Sequence, residues 1–435
     1  MDLRAHSSQL ARLAACLLAI GTLSACASSG SPEPGASPSS ASSQSGAGPS
    51  SAPIDPVERD KAYARCMRNR GISDFPDPTG NGIELTGTGI DPSTAAFKAA
   101  HQACEALFPA PTAKAPEPNE ASAWTQVVPG EDCACSDGSA FHLWVRLANP
   151  KKVLLYFQGG GACFTAELCN PAGGIYHVRA ESSPPGDGVF DFANPANPFA
   201  DYSVIYVPNC TADVFLGNAA TTYQPDLTIQ HKGFVNGTAA LDHLATTFAD
   251  ASDVVVAGGS AGSVAAPLYG GLVADRLPEA RVTVLADGSG AYPDHPQLNA
   301  SLADAWNTDD AIRALTGSPK DAWSIPGLFT LTGRHHPEVV LARHDYAYDE
   351  RQAEWFPRID LPTGDLLARM DANERRIEAS GVELLSYTAP GDAHLVLDDE
   401  PFYTETVEGH ALADWVTRLI AGEPVADVRC TECAG

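Results

Sequence analysis

The chain has 435 residues, 44% of them hydrophobic and 8% aromatic, enough to bury a large core in more than one folded unit. Its 54 Asp and Glu against 27 Lys and Arg give a formal net charge of −27. No basic stripe is left to neutralise a phosphate backbone, so nucleic acid is excluded as a partner, and strongly polyanionic substrates are disfavoured.

At the N-terminus, Arg4 and Arg12 precede the apolar run LAACLLAIGTL at residues 13–23. That is the pattern of a secretory signal, and it is too short for a membrane-spanning helix; no later stretch is long enough to span a bilayer either. The run ends in LSAC at residues 23–26, which resembles the lipobox of bacterial lipoproteins. The resemblance implies that residues 1–25 are a signal peptide and that Cys26 becomes a lipidated N-terminus, anchoring the protein to the membrane by its acyl chains. The expected location is the outer face of the cell membrane, or the medium if the segment is an ordinary signal cleaved near the same place. Residues 26–55 are rich in Ser, Ala, Pro and Gly with almost no large apolar side chains, and are expected to form a flexible tether.

Residues 56–110 carry two helix-like stretches, PVERDKAYARCMRNRG and DPSTAAFKAAHQACEALFP, around a turn-rich DFPDPTGNG. Each stretch holds one cysteine, and a Cys66–Cys104 bridge would support a unit too small for a big core. This unit resembles a short helical module of actinobacterial lipoproteins, a likeness to which no chemistry attaches. A second linker, residues 111–125, leads into the rest. Of 11 cysteines, Cys16 and Cys26 belong to the signal region, and the other nine face an oxidising compartment with at least one left unpaired. Cys430-x-x-Cys433 has no matching Cys or His pair, so a disulfide is expected there rather than a metal or redox site.

From residue 126 to 435 apolar strands alternate with helix-like segments, the pattern of a mostly parallel sheet covered by helices on both faces. The strands are read in AFHLWVRL, KVLLYFQG, YSVIYVP, DVVVAGG, RVTVLADG, EVVLARHDYA and VELLSYTA. In such sheets the chemistry lies in the loops at the carboxyl ends of the strands. Ser260 stands in Gly258-Gly259-Ser260-Ala261-Gly262, after DVVVAGG and before the helix-like AGSVAAPLYGGLVADRL. A strand, a tight turn and a helix are what a nucleophile elbow of the α/β-hydrolase kind requires, and the helix N-terminus favours a forming oxyanion. The same turn could cradle phosphate, but the P-loop lysine and a G-x-G-x-x-G are missing.

A hydrolase triad in this fold follows the chain order Ser, Asp or Glu, His. His394 lies in the turn after VELLSYTA; His410 falls in a helix-like segment that should pack on the sheet, and His335, His336 and His344 come too early. For the acid, Asp349 in the loop after EVVLARHDYA is preferred over Asp345, the next candidate, which lies inside the extended alternation of that strand; Asp287 follows the preceding strand, and Asp392 reads as a turn former. The backbone N–H of Ala261 and one or two from the loop LYFQGGGACF would form the oxyanion hole. Such chemistry needs no metal and no organic cofactor.

These segments resemble the pectin acetylesterase and Notum family of carboxylesterases across roughly residues 130–435. CSDGSAFHLWV, YFQGGGACFTAELC, NPFADYSVIYVPNCTADVFLGN, GGSAGS, LADGSGAYPD, YDERQ and GDAH fall in family order, and DWVTRLIAG precedes CTEC. The resemblance implies Ser260 as nucleophile, Asp349 as acid and His394 as base, with Gly160, Gly161 and Ala261 as oxyanion donors. Plant and animal members carry an aromatic residue where this chain has Ala162 and commonly a cysteine where it has Gly259, which implies a differently shaped acyl pocket; Ala212 replaces a family glycine. The function implied is hydrolysis of acetyl-type esters on a small molecule or polysaccharide, through an acyl-enzyme. The competing class is a non-catalytic cell-surface protein that binds a glycan or partner on a hydrolase scaffold, which a missing triad member would have favoured.

Overall fold

In the computed structural model the described residues are 56–76, 90, 94–104, 124–319 and 321–433. Cys26, the signal segment, the tether and most of the second linker lie outside them. Helices α1 (Pro56–Asn69) and α2 (Ala95–Cys104) are joined by a Cys66–Cys104 disulfide. Tyr63, Ala64 and Met67 of α1 and Ala100 of α2 pack around Phe75 in a small core of their own.

The larger body is built on a nine-stranded sheet. It opens with β1 (Thr125–Val127), β2 (Leu143–Arg146), β3 (Asn149–Phe157) and β4 (Tyr202–Val207). A hairpin, β5 (Ala219–Gln224) and β6 (Leu227–His231), then leads to α3 (Gly233–Thr247), β7 (Asp253–Gly259), α4 (Ala261–Arg276) and β8 (Arg281–Asp287). Three helices follow, α5 (Pro296–Trp306), α6 (Asp309–Thr316) and α7 (Gly327–His335), before β9 (Val340–Tyr346), α8 (Glu350–Arg358), α9 (Leu366–Glu378) and β10 (Leu385–Ala389). The chain closes with β11 (Thr406–Val407), β12 (His410–Ala411), α10 (Leu412–Ile420) and β13 (Val428–Arg429). The sheet order is β1-β2-β4-β3-β7-β8-β9-β10-β13, parallel from β4 onward with an antiparallel edge at β1 and β2.

The central strands are continuous apolar runs because both of their faces are covered. Val153, Leu155 and Phe157 of β3 join one core with Leu241 and Leu244 of α3 and the buried length of α4, while Leu154 and Tyr156 point to the other, with Trp415, Val416 and Leu419 of α10. Residues 261–274 of α4 are all buried, which is why that helix lacks a polar face. The architecture is the α/β-hydrolase-like arrangement expected from the sequence. His410 differs from its expected place: it lies in the two-residue strand β12, because α10 begins only at Leu412.

Three further disulfides, Cys135–Cys210, Cys163–Cys169 and Cys430–Cys433, brace the large body, and Cys133 is the free cysteine among the described residues. Four disulfides fit an exported chain. Burial, with Asp132 and Asp242 nearby, pushes the Cys133 thiol up to about 11, so it is unreactive at neutral pH. Among the described residues no helix is long and apolar enough to cross a membrane.

Candidate active site

Ser260 occupies the one-residue turn between β7 and α4, at φ 51° and ψ −117°. A side chain rarely adopts this conformation, and strain of this kind persists only when the surroundings dictate it. Here the surroundings are tight. A Cβ on Gly262 would sit 1.9 Å from the Phe157 carbonyl oxygen, so only glycine lets α4 start against the end of β3. The Ser260 N–H donates to the Asp287 carbonyl at 2.8 Å, and Ser263 Oγ donates to the Ser260 carbonyl at 2.6 Å.

The glycine loop after β3 abuts this turn: a Cβ on Gly159 would lie 3.2 Å from Ser260 Cβ. Gly161, at φ 74°, has no space for a side chain either, since a Cβ would meet the Ile175 carbonyl oxygen at 2.0 Å. Among the hydrogen bonds of the described residues none uses the N–H of Gly160, Gly161 or Ala261. Unspent backbone donors beside a strained serine are what a developing oxyanion requires.

Asp349 is completely buried and caps α8, accepting the Gln352 N–H at 2.9 Å on Oδ1. Its Oδ2 accepts from Gln352 Nε2 at 2.8 Å and lies 2.7 Å from His394 Nδ1. A carboxylate only accepts, so Nδ1 carries the proton and Nε2 is left as the ring's free base. Gln352 was not singled out in the sequence; its Oε1 also accepts the Ala291 N–H at 3.2 Å, fixing the acid from a second side. Backbone bonds from Tyr348 N to the Gly391 carbonyl at 3.0 Å and from Glu350 N to the Asp392 carbonyl at 2.9 Å zip the acid loop to the histidine loop.

The other acids serve elsewhere. Asp345 is the penultimate residue of β9, buried, 3.5 Å from Arg343 Nε, and accepts the Gly290 N–H at 2.7 Å. Burial raises its pKa to about 6 against the pull of Arg343. Asp392 is exposed, and both side-chain oxygens of Asp287 are engaged with His344, Val396 and Leu397.

Ser260, Gly160, Gly161, Ala261 and His394 line one cavity of about 500 Å³. Among the described residues no hydrogen bond joins Ser260 to His394, and such nucleophile–base contacts commonly tighten only along the reaction. Its apolar lining includes Phe164, Val214, Leu298, Trp306, Ile325 and Trp355, beside the charged Arg351, Glu354 and Arg358. Trp306 donates its indole N–H to the Cys163 carbonyl at 2.8 Å, tying α5 to the disulfide-closed loop after the glycines. Val214 reaches the cavity from CTADVF, residues 210–215, where Ala212, Val214 and Phe215 all have positive φ. Asp213 holds that turn, accepting from Thr211, Phe215 and Gly233 at 2.7, 3.2 and 2.7 Å. The cavity lining also includes Asp398, whose carboxyl is pushed up to about 6 by burial and by the Asp287 charge.

Residues 121–309 match the family model described as Pectinacetylesterase. Among solved structures, the Wnt deacylase Notum from Drosophila is similar in fold, with a TM-score of 0.52 at 14% identity, covering 70% of this chain and 96% of that one. No curated protein matches the sequence.

Proposed function

We propose, on the match of residues 121–309 to the pectinacetylesterase family model, that this chain is an extracytoplasmic serine carboxylesterase acting on carbohydrate-borne or small-molecule esters. Ser260 is the nucleophile, His394 the general base and Asp349 the residue that orients and charge-stabilises the ring. His394 Nε2 takes the Ser260 proton as Oγ attacks the ester carbonyl carbon. The carbonyl oxygen becomes an oxyanion against the N–H groups of Gly160, Gly161 and Ala261. His394 then returns the proton to the leaving alcohol and the acyl-enzyme forms. Water, deprotonated by the same ring, attacks that ester; the proton passes back to Ser260 Oγ as the carboxylic acid leaves.

The observation that carries this reading is that His394, held 2.7 Å from Asp349, and the strained Ser260 turn line one cavity. Likeness in fold to a deacylase is in keeping with acyl transfer. A cavity of about 500 Å³ with several large apolar side chains in its lining has room for acyl groups longer than acetyl. At the N-terminus, Cys26 is the proposed lipid anchor.

The test is hydrolysis of p-nitrophenyl acetate and longer acyl homologues by the full chain in mild detergent, beside Ser260→Ala. We expect turnover in the parent and a loss of at least about 10³-fold in the variant, with the cut-off in chain length reporting the depth of the cavity. A cooperatively folded parent that neither hydrolyses these esters nor takes a fluorophosphonate label at Ser260 overturns the esterase in favour of a binding protein.

A further inference from the structure

Behind the cavity lies a buried charged cluster that the proposed chemistry leaves unused. Asp287 ends β8 with no exposed surface, and its acceptors point in three directions. Its backbone carbonyl receives the Ser260 N–H at 2.8 Å. Its Oδ2 receives the N–H groups of Val396 and Leu397 at 2.8 and 2.9 Å, just past His394 in the chain. Its Oδ1 lies 2.8 Å from His344 Nδ1, and His344 Nε2 lies 2.9 Å from Glu405 Oε1. Burial alone would lower the His344 pKa, but hydrogen bonds to Asp287 and Glu405 and their charges raise it to about 10. The ring is therefore an imidazolium at neutral pH, donating from both nitrogens and leaving both Asp287 oxygens as acceptors.

We propose that Asp287 is a positioning residue for this active site: it ties the Ser260 turn to the loop carrying His394, with His344 and Glu405 holding its carboxylate in place. The inference rests on the esterase reading above. The histidine loop is clamped on both sides of His394. Before it, Tyr348 N and Glu350 N bind the Gly391 and Asp392 carbonyls on the acid side; after it, Val396 N and Leu397 N bind Asp287. Asp287 thus closes a circuit that runs from Ser260 through its own main chain and side chain to residues 396–397, back along the loop to His394 and on to Asp349. With that circuit intact, the backbone of the histidine loop cannot move away from the Ser260 turn without breaking a bond to a buried charge. A carboxylate is suited to this duty because it accepts two backbone donors and one imidazolium at once, which no neutral side chain of that size does.

The test is a double-mutant cycle in the full chain, Asp287→Asn with His394→Ala, on p-nitrophenyl acetate, normalised to protein that melts cooperatively. An ångström of misplacement in a catalytic group costs on the order of 100-fold, so Asp287→Asn alone is expected to lower kcat by about 10- to 100-fold with KM within about threefold. On top of His394→Ala it should cost almost nothing further, because there is no ring left to position. If Asp287→Asn does not fold, Glu405→Gln at the outer end of the cluster, where the side chain is 10% exposed, replaces it, with the same signature at smaller size. Wild-type kcat in the folded variant overturns the proposal, as does a loss that persists undiminished in the His394→Ala background, which marks a merely structural role. Undiminished turnover in His394→Ala itself removes the esterase reading on which the proposal stands, and is told apart by that single variant.

Discussion

Asp349 receives three donors, two from Gln352 and one from His394, and its value to the proposed reaction is the tautomer it imposes. In Asp349→Asn the amide NH₂ would face Nδ1 and push the proton to Nε2, where it blocks the base. We expect kcat to fall by about 10³- to 10⁴-fold while the melting temperature changes little, measured by ester turnover and thermal denaturation. His344 supports a second prediction, on stability. Its folded pKa of about 10 lies above the 6.5 of a free ring. The stabilisation it contributes is complete below pH 6.5 and is lost as pH rises towards 10. Unfolding free energy should therefore decline across that window, and Glu405→Gln should flatten the decline in denaturant titrations. Ser260, Asp349 and His394 could be proposed from the sequence because each is a reactive type at the end of a readable strand. Gln352 and the Asp287–His344–Glu405 cluster could not, since their roles arise from contacts between segments far apart in the chain. Asp287 looked like a candidate acid for the same reason that Asp349 did.

Among the elements, the long central strands could be read directly because burial on both faces leaves an uninterrupted apolar run. The β5–β6 hairpin and the two-residue strands β11, β12 and β13 could not: they pair in small sheets or at an edge, with too few residues for a period to show. His410 was misplaced on those grounds, as the polar turn before α10 carries no strong capping residue. The α1–α2 pair could be outlined from its two cysteines, and the disulfide spans a sequence separation of 38 residues. For a loop of that length, removing the bridge costs on the order of 3–4 kcal/mol, comparable with all that so small a core supplies. Replacing both Cys66 and Cys104 by serine should make residues 56–104 the first site of limited proteolysis, while ester turnover by the large body stays at the parent level.

For the molecule as a whole, the mostly parallel sheet and the covering of both its faces follow from the alternation of strands and helices, whereas the order of the strands and the cavity do not, because the cavity walls converge from six separate segments. The proposed anchor is tested at this scale. Cys26→Ser should move the ester-hydrolysing activity from the membrane fraction to the soluble fraction without changing its kcat, measured after cell fractionation. The distribution of the cavity walls also bears on descent. Leu298, Leu302, Trp306 and Ile325 all come from the segment between β8 and β9, which contributes neither Ser260, Asp349, His394 nor an oxyanion donor. On the proposed function, drift or recombination in that one stretch would retune which ester is accepted while the residues that cleave it stay sheltered, so lineages carrying this scaffold have an inexpensive route to new substrates.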